Sequence, residues 1–267
     1  MPRYLLRIAY DGTAYVGWQR QANGISIQQR LEEAAEPLAR VPVVTTAAGR
    51  TDAGVHALAQ AVHLDLPDGL TADVIMRALN SRLPADIRVR EAARVADDFH
   101  ARFSAVAKTY RYKWLLSVVG HPLLERDAWR VAPPLDVEVM QDAAARLIGT
   151  RDFAGLQSSG TAIETTVRTV SSVTLHRASN EDARALGLLA GEGRLQLDIA
   201  GTGFLRHMVR AIAGTLTDIG RGRWPPTRID EILAGRDRGR AGPTAPAQGL
   251  TLVNVRYPSD GQSSPGA

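Results

Sequence analysis

The sequence of 267 residues contains no cysteine. This absence excludes disulfide bonds, thiolate nucleophiles, iron–sulfur clusters and cysteine-ligated zinc. No apolar run approaches the ~20 residues that a membrane-spanning helix needs. Met1-Pro2-Arg3 leads directly into a strand-like segment without the apolar stretch of a secretory signal. We therefore expect a globular protein of the cytoplasm that does not contact a membrane.

Lysine is also nearly absent, because Lys108 and Lys113 are the only two lysines among 32 basic residues. The net charge of +4 favours an anionic partner, and arginine suits bidentate contacts with phosphate and stacking on bases. A codon bias towards arginine and alanine explains most of the preference over lysine. The placement of the arginines therefore carries more information than their number.

Motifs for metal ions and nucleotide cofactors are missing as well. The six histidines are scattered, without the i, i+4 pair and nearby carboxylate of a helical zinc site. Gly201-Thr202-Gly203 lacks the third glycine of a dinucleotide-binding fingerprint, and the sequence has no Walker lysine. We expect chemistry that needs neither a metal nor a cofactor.

One glycine-containing segment, Ala48-Gly49-Arg50-Thr51-Asp52-Ala53-Gly54-Val55-His56, lies between two strand-like runs. Its glycines allow the backbone to turn and to approach a ligand closely. If Arg50 to Asp52 is extended, the period of two places both side chains on one face. The arginine then favours the ionised carboxylate and keeps Asp52 available as a nucleophile or base. From spacing alone, a pair that merely closes a turn is an equally good interpretation.

This aspartate segment and four further blocks resemble the TruA family of tRNA pseudouridine synthases, in the order of that family's motifs. The other blocks are Tyr10-Asp11-Gly12 with Gly17-Trp18-Gln19-Arg20-Gln21, Asp98-Phe99-His100-Ala101-Arg102-Phe103, Lys108-Thr109-Tyr110-Arg111-Tyr112 and His207-Met208-Val209-Arg210. Together they cover nearly the whole chain, and five ordered blocks make coincidence implausible.

The resemblance implies isomerisation of uridine to pseudouridine in tRNA, at positions 38, 39 and 40 of the anticodon stem-loop. It also implies that Asp52 is the catalytic aspartate, that Tyr110 lies against the target base and that Arg210 pairs with the aspartate. An aromatic ring suits a flipped base, although without the family motif a core tyrosine explains Tyr110 equally well. The family is typically dimeric, so we expect a homodimer with the RNA lying across both subunits. Ala211 departs from the family pattern, which commonly has asparagine there.

Further substrate contacts are expected near the last motif. Arg206 and Arg210 are four residues apart in a helix predicted at 204–219, so they share a face, with His207 beside them. A solvated charged face is the usual explanation of such a pair, but an anion that bridges both cations fits a helix with a family motif better. We assign Arg210 to the active site and Arg206 to the phosphate backbone. His207 and Leu250 are expected to contact the RNA.

Loop residues supply the remaining candidates. Arg50 is expected to hold the distorted RNA backbone or to fill the space that the extruded base leaves. Arg20 follows Trp18 in a loop, where Trp18 is better interpreted as a packing residue than as a stacking platform for RNA. His100 and Arg102 either face the RNA or hold the two halves of the chain together.

Hydrophobic periodicity predicts an α+β protein of two similar βαββαβ halves, a ferredoxin-like arrangement with mainly antiparallel sheets. The resemblance implies the pseudouridine synthase fold. We expect the halves at 1–104, with the catalytic aspartate, and at 105–257, with Tyr110 and Arg210, before a disordered tail at 258–267. The predicted strands lie near 4–10, 41–47, 59–66, 87–95, 108–116, 166–176, 194–199 and 250–255. The predicted helices follow Ser26 and Thr71, span 136–148 and 204–219, and follow Thr227.

Two other functions compete with this interpretation. An RNA-binding protein without catalytic activity suits the basic composition, but the intact Arg50-Thr51-Asp52 motif argues against it. A glycosidase that works with carboxylates requires a second catalytic carboxylate at a suitable distance. The sequence offers no convincing partner for Asp52 in that role.

Overall fold

The computed structural model describes residues 1–158 and 163–258. The chain forms two compact units, one from Met1–Lys108 with the chain from Thr251 onward and the other from Thr109–Leu250. Within the described residues, no helix has the length and apolar character needed to cross a membrane.

Both units contain helices and strands. The first part contains β1 (Arg3–Tyr10), α1 (Ile27–Ala39), β2 (Thr46–Ala47), β3 (His56–Asp65), α2 (Ala72–Asn80) and β4 (Ile87–Arg94). The second part contains β5 (Ala107–Leu116), β6 (Trp129–Val131), α3 (Val137–Ala145), β7 (Gly149–Asp152), β8 (Val167–Arg177), α4 (Asn180–Ala185), β9 (Gly193–Gly201), α5 (Met208–Gly220), α6 (Arg228–Gly235) and β10 (Leu250–Arg256). The boundaries between the two units fall inside β5 and β10.

The strands of the N-terminal unit follow the order β4-β1-β3-β10, with β2 paired to β3. β1 is antiparallel to both of its neighbours, and Tyr10 lies opposite Ala57 on one side and Ile87 on the other. β10 is parallel to β3, with Thr251 opposite His56. The start of β3, where the aspartate segment ends, therefore lies at the same end of the sheet as the start of β4.

The strands of the C-terminal unit follow the order β5-β9-β8-β7, with β6 paired to β5. β8 is antiparallel to both β7 and β9. Tyr110, Tyr112 and Trp114 are buried on one face of β5, as alternation along a strand predicts. The Trp114 indole donates to Thr217 Oγ1 in α5 (2.9 Å), which fixes this helix against the strand. The predicted α+β class with mainly antiparallel pairing is confirmed.

The predicted order βαββαβ is confirmed in the first half. In the second half β5, α3, β8, β9, α5 and β10 keep that order, together with the predicted extra helix α6 and three elements that the sequence did not indicate, β6, β7 and α4. The predicted C-terminal half, 105–257, includes the last strand. In the structure, the part of this strand from Thr251 onward belongs to the N-terminal unit, where Thr251 and Leu252 pair with β3. Of the tail predicted at 258–267, only Pro258 is among the described residues.

The strand predicted at 41–47 is wrong over most of its length, because only Thr46–Ala47 pairs as β2. Pro42 has no amide hydrogen. The buried Glu32 carboxylate accepts hydrogen bonds from Thr45 N (3.0 Å) and Thr45 Oγ1 (3.1 Å). These contacts occupy polar groups of the segment that a β ladder would otherwise pair.

Candidate active site

Asp52 lies in a turn that main-chain contacts hold in place. Val55 N donates to Asp52 O (3.1 Å), and Gly54 within this turn has φ +76°. Asp52 also forms an isolated antiparallel bridge with Gly17. Because Asp52 is only half-buried, the turn fixes the residue while leaving part of it accessible.

The residues around the turn are anchored to β1 and β3 by a buried polar network. Thr51 Oγ1 lies 2.8 Å from Tyr10 OH, and Thr51 O accepts from Trp18 N (2.9 Å). Gln60 Nε2 donates to Gly49 O (2.8 Å). Burial raises the pKa of Tyr10 to about 12, so its phenol stays protonated at neutral pH. Trp18 is buried, which confirms its interpretation as a packing residue.

Two glycines explain why the first sequence block accompanies the aspartate segment. A Cβ atom on Gly17, which has φ +110°, would lie 2.7 Å from Thr51 O. A Cβ atom on Gly12 would lie 2.1 Å from Val55 O. Both backbones approach so closely that only glycine fits without displacing the turn.

Lys108 is a residue near the aspartate segment that the sequence did not reveal. Its Nζ donates to Ala48 O (2.7 Å) and would lie 3.1 Å from a Cβ atom on Gly49. Ala48 N donates in turn to Ala61 O of β3 (2.8 Å). The rarity of lysine was the one feature of the sequence that could have drawn attention to Lys108, because it is one of only two lysines in the chain.

In the C-terminal unit, Tyr110 and Arg210 are each fixed by a local partner. The Tyr110 ring meets the Phe204 ring edge-on, with 5.2 Å between centroids and 83° between planes. Arg210 lies in the first turn of α5, and its Nε donates to Ala245 O (2.7 Å). Ala245 N donates back to Arg210 O (3.1 Å). This reciprocal pair orients the guanidinium group and ties it to the segment that leads into β10.

That segment packs directly on the backbone of α5. A Cβ atom on Gly214 would lie 1.7 Å from Pro243 O, and Gly242 N donates to Thr215 Oγ1 (2.9 Å). Leu250 follows the segment and is buried. A larger residue at Gly214 would therefore push the segment, and with it Ala245, away from the helix.

The helix predicted at 204–219 begins only at Met208. His207 has φ +61°, a left-handed conformation that interrupts the helical path, and Arg206 O accepts from Ser158 N (3.1 Å). Arg206 is exposed but precedes the helix, so the prediction that Arg206 and Arg210 share a helix face is wrong. His207 Nδ1 forms a hydrogen bond with Ser158 Oγ.

The other predicted site residues of the N-terminal unit lie at its surface or in local turns. Arg50 is exposed. Arg20 Nη1 lies 3.3 Å from Glu32 Oε2 in an ion pair with that buried carboxylate. His100 Nδ1 accepts from Arg102 N (3.2 Å), so His100 shapes the turn that presents Arg102. The roles of these residues towards RNA stay predictions.

Comparison with known proteins identifies the family. Residues 7–104 and 143–258 match the family described as tRNA pseudouridine synthase. The chain belongs to this family. Asp52 lies in the first matched range, Arg210 and Leu250 lie in the second, and Tyr110 lies between the two.

Individual pseudouridine synthases are similar to the chain over nearly its full length, which confirms the resemblance to the TruA family. A protein of Syntrophotalea carbinolica named tRNA pseudouridine synthase A is 46% identical over 252 residues, which are 94% of this chain and 95% of that protein. Its counterpart of the same name in Rhodospirillum rubrum is 42% identical over 97% of this chain and 89% of its own. A third, from Methylobacterium nodulans, is 42% identical over the whole of both chains.

Proposed function

We propose that this protein isomerises uridine to pseudouridine in tRNA, and that its targets are positions 38, 39 and 40 of the anticodon stem-loop. Membership of the tRNA pseudouridine synthase family carries the activity. The main-chain contacts that hold the turn at Asp52 support the assignment of this residue as the catalytic carboxylate. The printed names of the relatives support tRNA as the substrate.

The reaction breaks the N1–C1′ bond of uridine, turns the uracil and joins C5 to C1′. C5 then loses its proton and N1 gains one, so substrate and product contain the same atoms and no oxidant or second substrate is consumed. Asp52 acts at the ribose, either by attacking C1′ or by removing the C2′ proton. Both routes benefit from a carboxylate whose position is fixed before the substrate arrives.

The other catalytic assignments are also proposals. Arg210 pairs with Asp52, and the hydrogen bond from its Nε to Ala245 O supports a fixed orientation of the guanidinium group. The target base is extruded from the stem, at a cost of a few kcal/mol in unstacking, and lies against Tyr110. Arg50 fills the vacated space or holds the distorted backbone.

Binding of the rest of the tRNA is distributed over both units in this proposal. The contacting residues are Arg20, His100, Arg102, Arg206, His207 and Leu250. We further propose that the protein is a cytoplasmic homodimer and that one tRNA lies across both subunits. Sedimentation of the protein with and without tRNA tests this stoichiometry.

One assay tests the proposed function directly. An unmodified tRNA transcript is incubated with purified protein, and pseudouridine is mapped nucleotide by nucleotide. Pseudouridine at positions 38 to 40 supports the proposal, tRNA binding without product indicates a binding protein, and release of free uracil indicates a glycosidase. Activity is expected to persist in EDTA without an added cofactor, and a loss that a divalent ion restores at the protein rather than in tRNA folding contradicts that expectation.

A further inference from the structure

A groove with a strongly basic lining lies between α2 and β4, and none of its described lining residues belongs to the site assigned above. Its volume is about 650 Å³. Arg77 and Ser81 line it from the helix side, and Arg88 and Arg90 line it from the strand side. None of the described lining residues is acidic. Such a surface attracts a polyanion.

Two hydrogen bonds join the helix side of the groove to its strand side. The Asn80 side chain donates from Nδ2 to Val89 O (2.9 Å) and accepts from Val89 N (2.8 Å), so the helix end is locked to β4. β4 is the edge strand of the N-terminal sheet, and this amide occupies the edge at Val89. The site therefore does not offer Val89 for pairing with an added peptide strand.

Arg90 lies in a β-bulge of β4 and has no residue opposite it on β1. Ile8 of β1 lies opposite Val89, and Arg7 lies opposite Glu91, so Arg90 is the extra residue on β4. Bulges commonly re-aim a side chain beside a functional site. Arg77 and Arg90 are both exposed, whereas Arg88 braces its own turn by donating from Nη1 to Pro84 O (2.5 Å) and Ile87 O (2.6 Å).

The position of the groove relates it to the aspartate segment. Tyr10 separates Ile87 of β4 from Ala57 of β3 in the register. Neighbouring strands lie about 5 Å apart, so two strand spacings are about 10 Å. Ile87, the first residue of β4, therefore lies about 10 Å from Ala57, which directly follows the aspartate segment. An RNA strand whose target nucleotide lies at the aspartate segment has neighbouring phosphates within reach of this end of the sheet.

We propose that the groove binds the phosphodiester backbone of the tRNA substrate close to the target nucleotide, with Arg77 and Arg90 as the phosphate ligands. This inference rests on the proposed function. The planar guanidinium group suits bidentate contact with phosphate oxygens. Each such contact releases counterions from the RNA, so its loss lowers the dependence of affinity on salt.

The test measures tRNA affinity over a series of salt concentrations for wild-type protein and three variants. Arg90→Ala is expected to reduce the slope of log K against log salt by about one, and Arg77→Ala with Arg90→Ala by about two. Arg94→Ala is the matched control, because it removes the same charge from the same strand. Arg94 lies outside the groove lining and forms an ion pair with Asp68 (Nη1 to Oδ1, 3.5 Å). The slope of this variant is expected to equal that of wild type.

The readouts separate this inference from the proposed activity. For the double variant we expect an unchanged single-turnover rate of pseudouridine formation at saturating tRNA, and a several-fold higher tRNA concentration at the half-maximal rate. An unchanged slope in a wild-type-like active protein overturns the groove proposal alone, as does an equal loss of slope in Arg94→Ala. A reduced slope in a protein that never forms pseudouridine supports the groove and overturns the activity. Thermal unfolding of each variant confirms that it is folded.

Discussion

Lys108 Nζ donates a 2.7 Å hydrogen bond to Ala48 O, across 60 residues of sequence. The bond reaches the first residue of the segment that carries Asp52, and a charged donor strengthens it. Lys108 is therefore a positioning residue for the aspartate turn. Lys108 Nζ also lies close to Gly49, and a Cβ atom at that position would be 3.1 Å from it.

Replacing Lys108 should impair catalysis more than binding. A hydrogen bond to a charged group contributes about 1.5–3 kcal/mol, so Lys108→Met is expected to lower the single-turnover rate by about 10- to 100-fold. Affinity for tRNA should change by less than tenfold, and Lys108→Arg should restore part of the rate. The control is Lys113→Met, since Lys113 pairs with Asp127 in the C-terminal unit. Equal losses in the two methionine variants would show that Lys108 has no special relation to the turn.

The Tyr10 and Thr51 hydroxyl groups should be coupled in stability. Their oxygens are 2.8 Å apart and both residues are buried, so Thr51→Val leaves the Tyr10 hydroxyl without its closest partner. We expect the free energy of unfolding to fall by about 1–3 kcal/mol. Removing both hydroxyls, with Tyr10→Phe added, should cost less than the sum of the single changes. Strict additivity in urea unfolding would contradict the coupling.

Local features of the fold were predictable from the sequence, whereas contacts between distant residues were not. Ser26, Thr71 and Asp136 each cap a helix by accepting from the amide three residues later, which is a purely local pattern. The strand predicted at 41–47 was too long, because the Glu32 side chain of the preceding helix accepts a hydrogen bond from Thr45 N and only β2 pairs with β3. No periodicity in either segment encodes that contact.

The candidate site shows the same division. The Asp52 turn follows from its glycines, and the buried face of β5 follows from alternation. The start of α5 was misplaced because Ser158 binds Arg206 O from 48 residues away and His207 takes a left-handed conformation. The role of Lys108 was missed for the same reason, since it depends on tertiary contact with Ala48.

His63 should make the stability of the protein depend on pH. Burial, then the positive charges of Arg3 and His100, lower the pKa of His63 to about 4, against a weaker opposing effect of Asp65. Its Nδ1 accepts from Ala101 N (3.1 Å), which also requires the unprotonated nitrogen. Between pH 6.5 and 4 the unfolded state therefore binds more protons at this residue, so its contribution to stability is full above pH 6.5 and is lost as the pH falls towards 4.

The measurement for His63 is the melting temperature from pH 7 to pH 4, compared between wild type and His63→Gln. Glutamine retains an oxygen that can accept from Ala101 N but does not titrate. The difference between the two proteins should change with pH in favour of the variant below pH 6.5. A difference that is constant over this range would show that His63 titrates normally in the folded protein.

Arg206 should contact phosphate even though it lies outside α5. Arg206 is exposed, and its main-chain oxygen accepts a hydrogen bond from Ser158 N, which fixes its backbone. Arg206→Ala is expected to reduce the slope of log tRNA affinity against log salt by about one, with an unchanged single-turnover rate. Arg177→Ala, on β8 of the same unit, provides a control for the loss of one positive charge. An unchanged slope for Arg206→Ala would identify a solvated surface arginine.

Asp52→Asn tests the central assignment, because asparagine keeps the shape of the side chain and removes its charge and basicity. Pseudouridine formation should become undetectable, while tRNA affinity stays within roughly tenfold, about 1.4 kcal/mol. Many phosphate contacts carry binding, whereas the bond rearrangement depends on one carboxylate. Asp68→Asn, which removes an exposed carboxylate on the same unit, should leave the rate unchanged.

A purely structural Asp52 predicts a different pattern of results. The turn around Asp52 uses its main-chain oxygen and the bridge to Gly17, and asparagine retains both, so the catalytic assignment requires that the variant stays folded and binds tRNA. A structural role instead predicts that stability, binding and activity fall together. Melting temperature, tRNA affinity and single-turnover product measured on one preparation distinguish the two. A fully active asparagine variant would rule out both chemical routes through Asp52, because an amide neither attacks C1′ nor removes the C2′ proton at neutral pH.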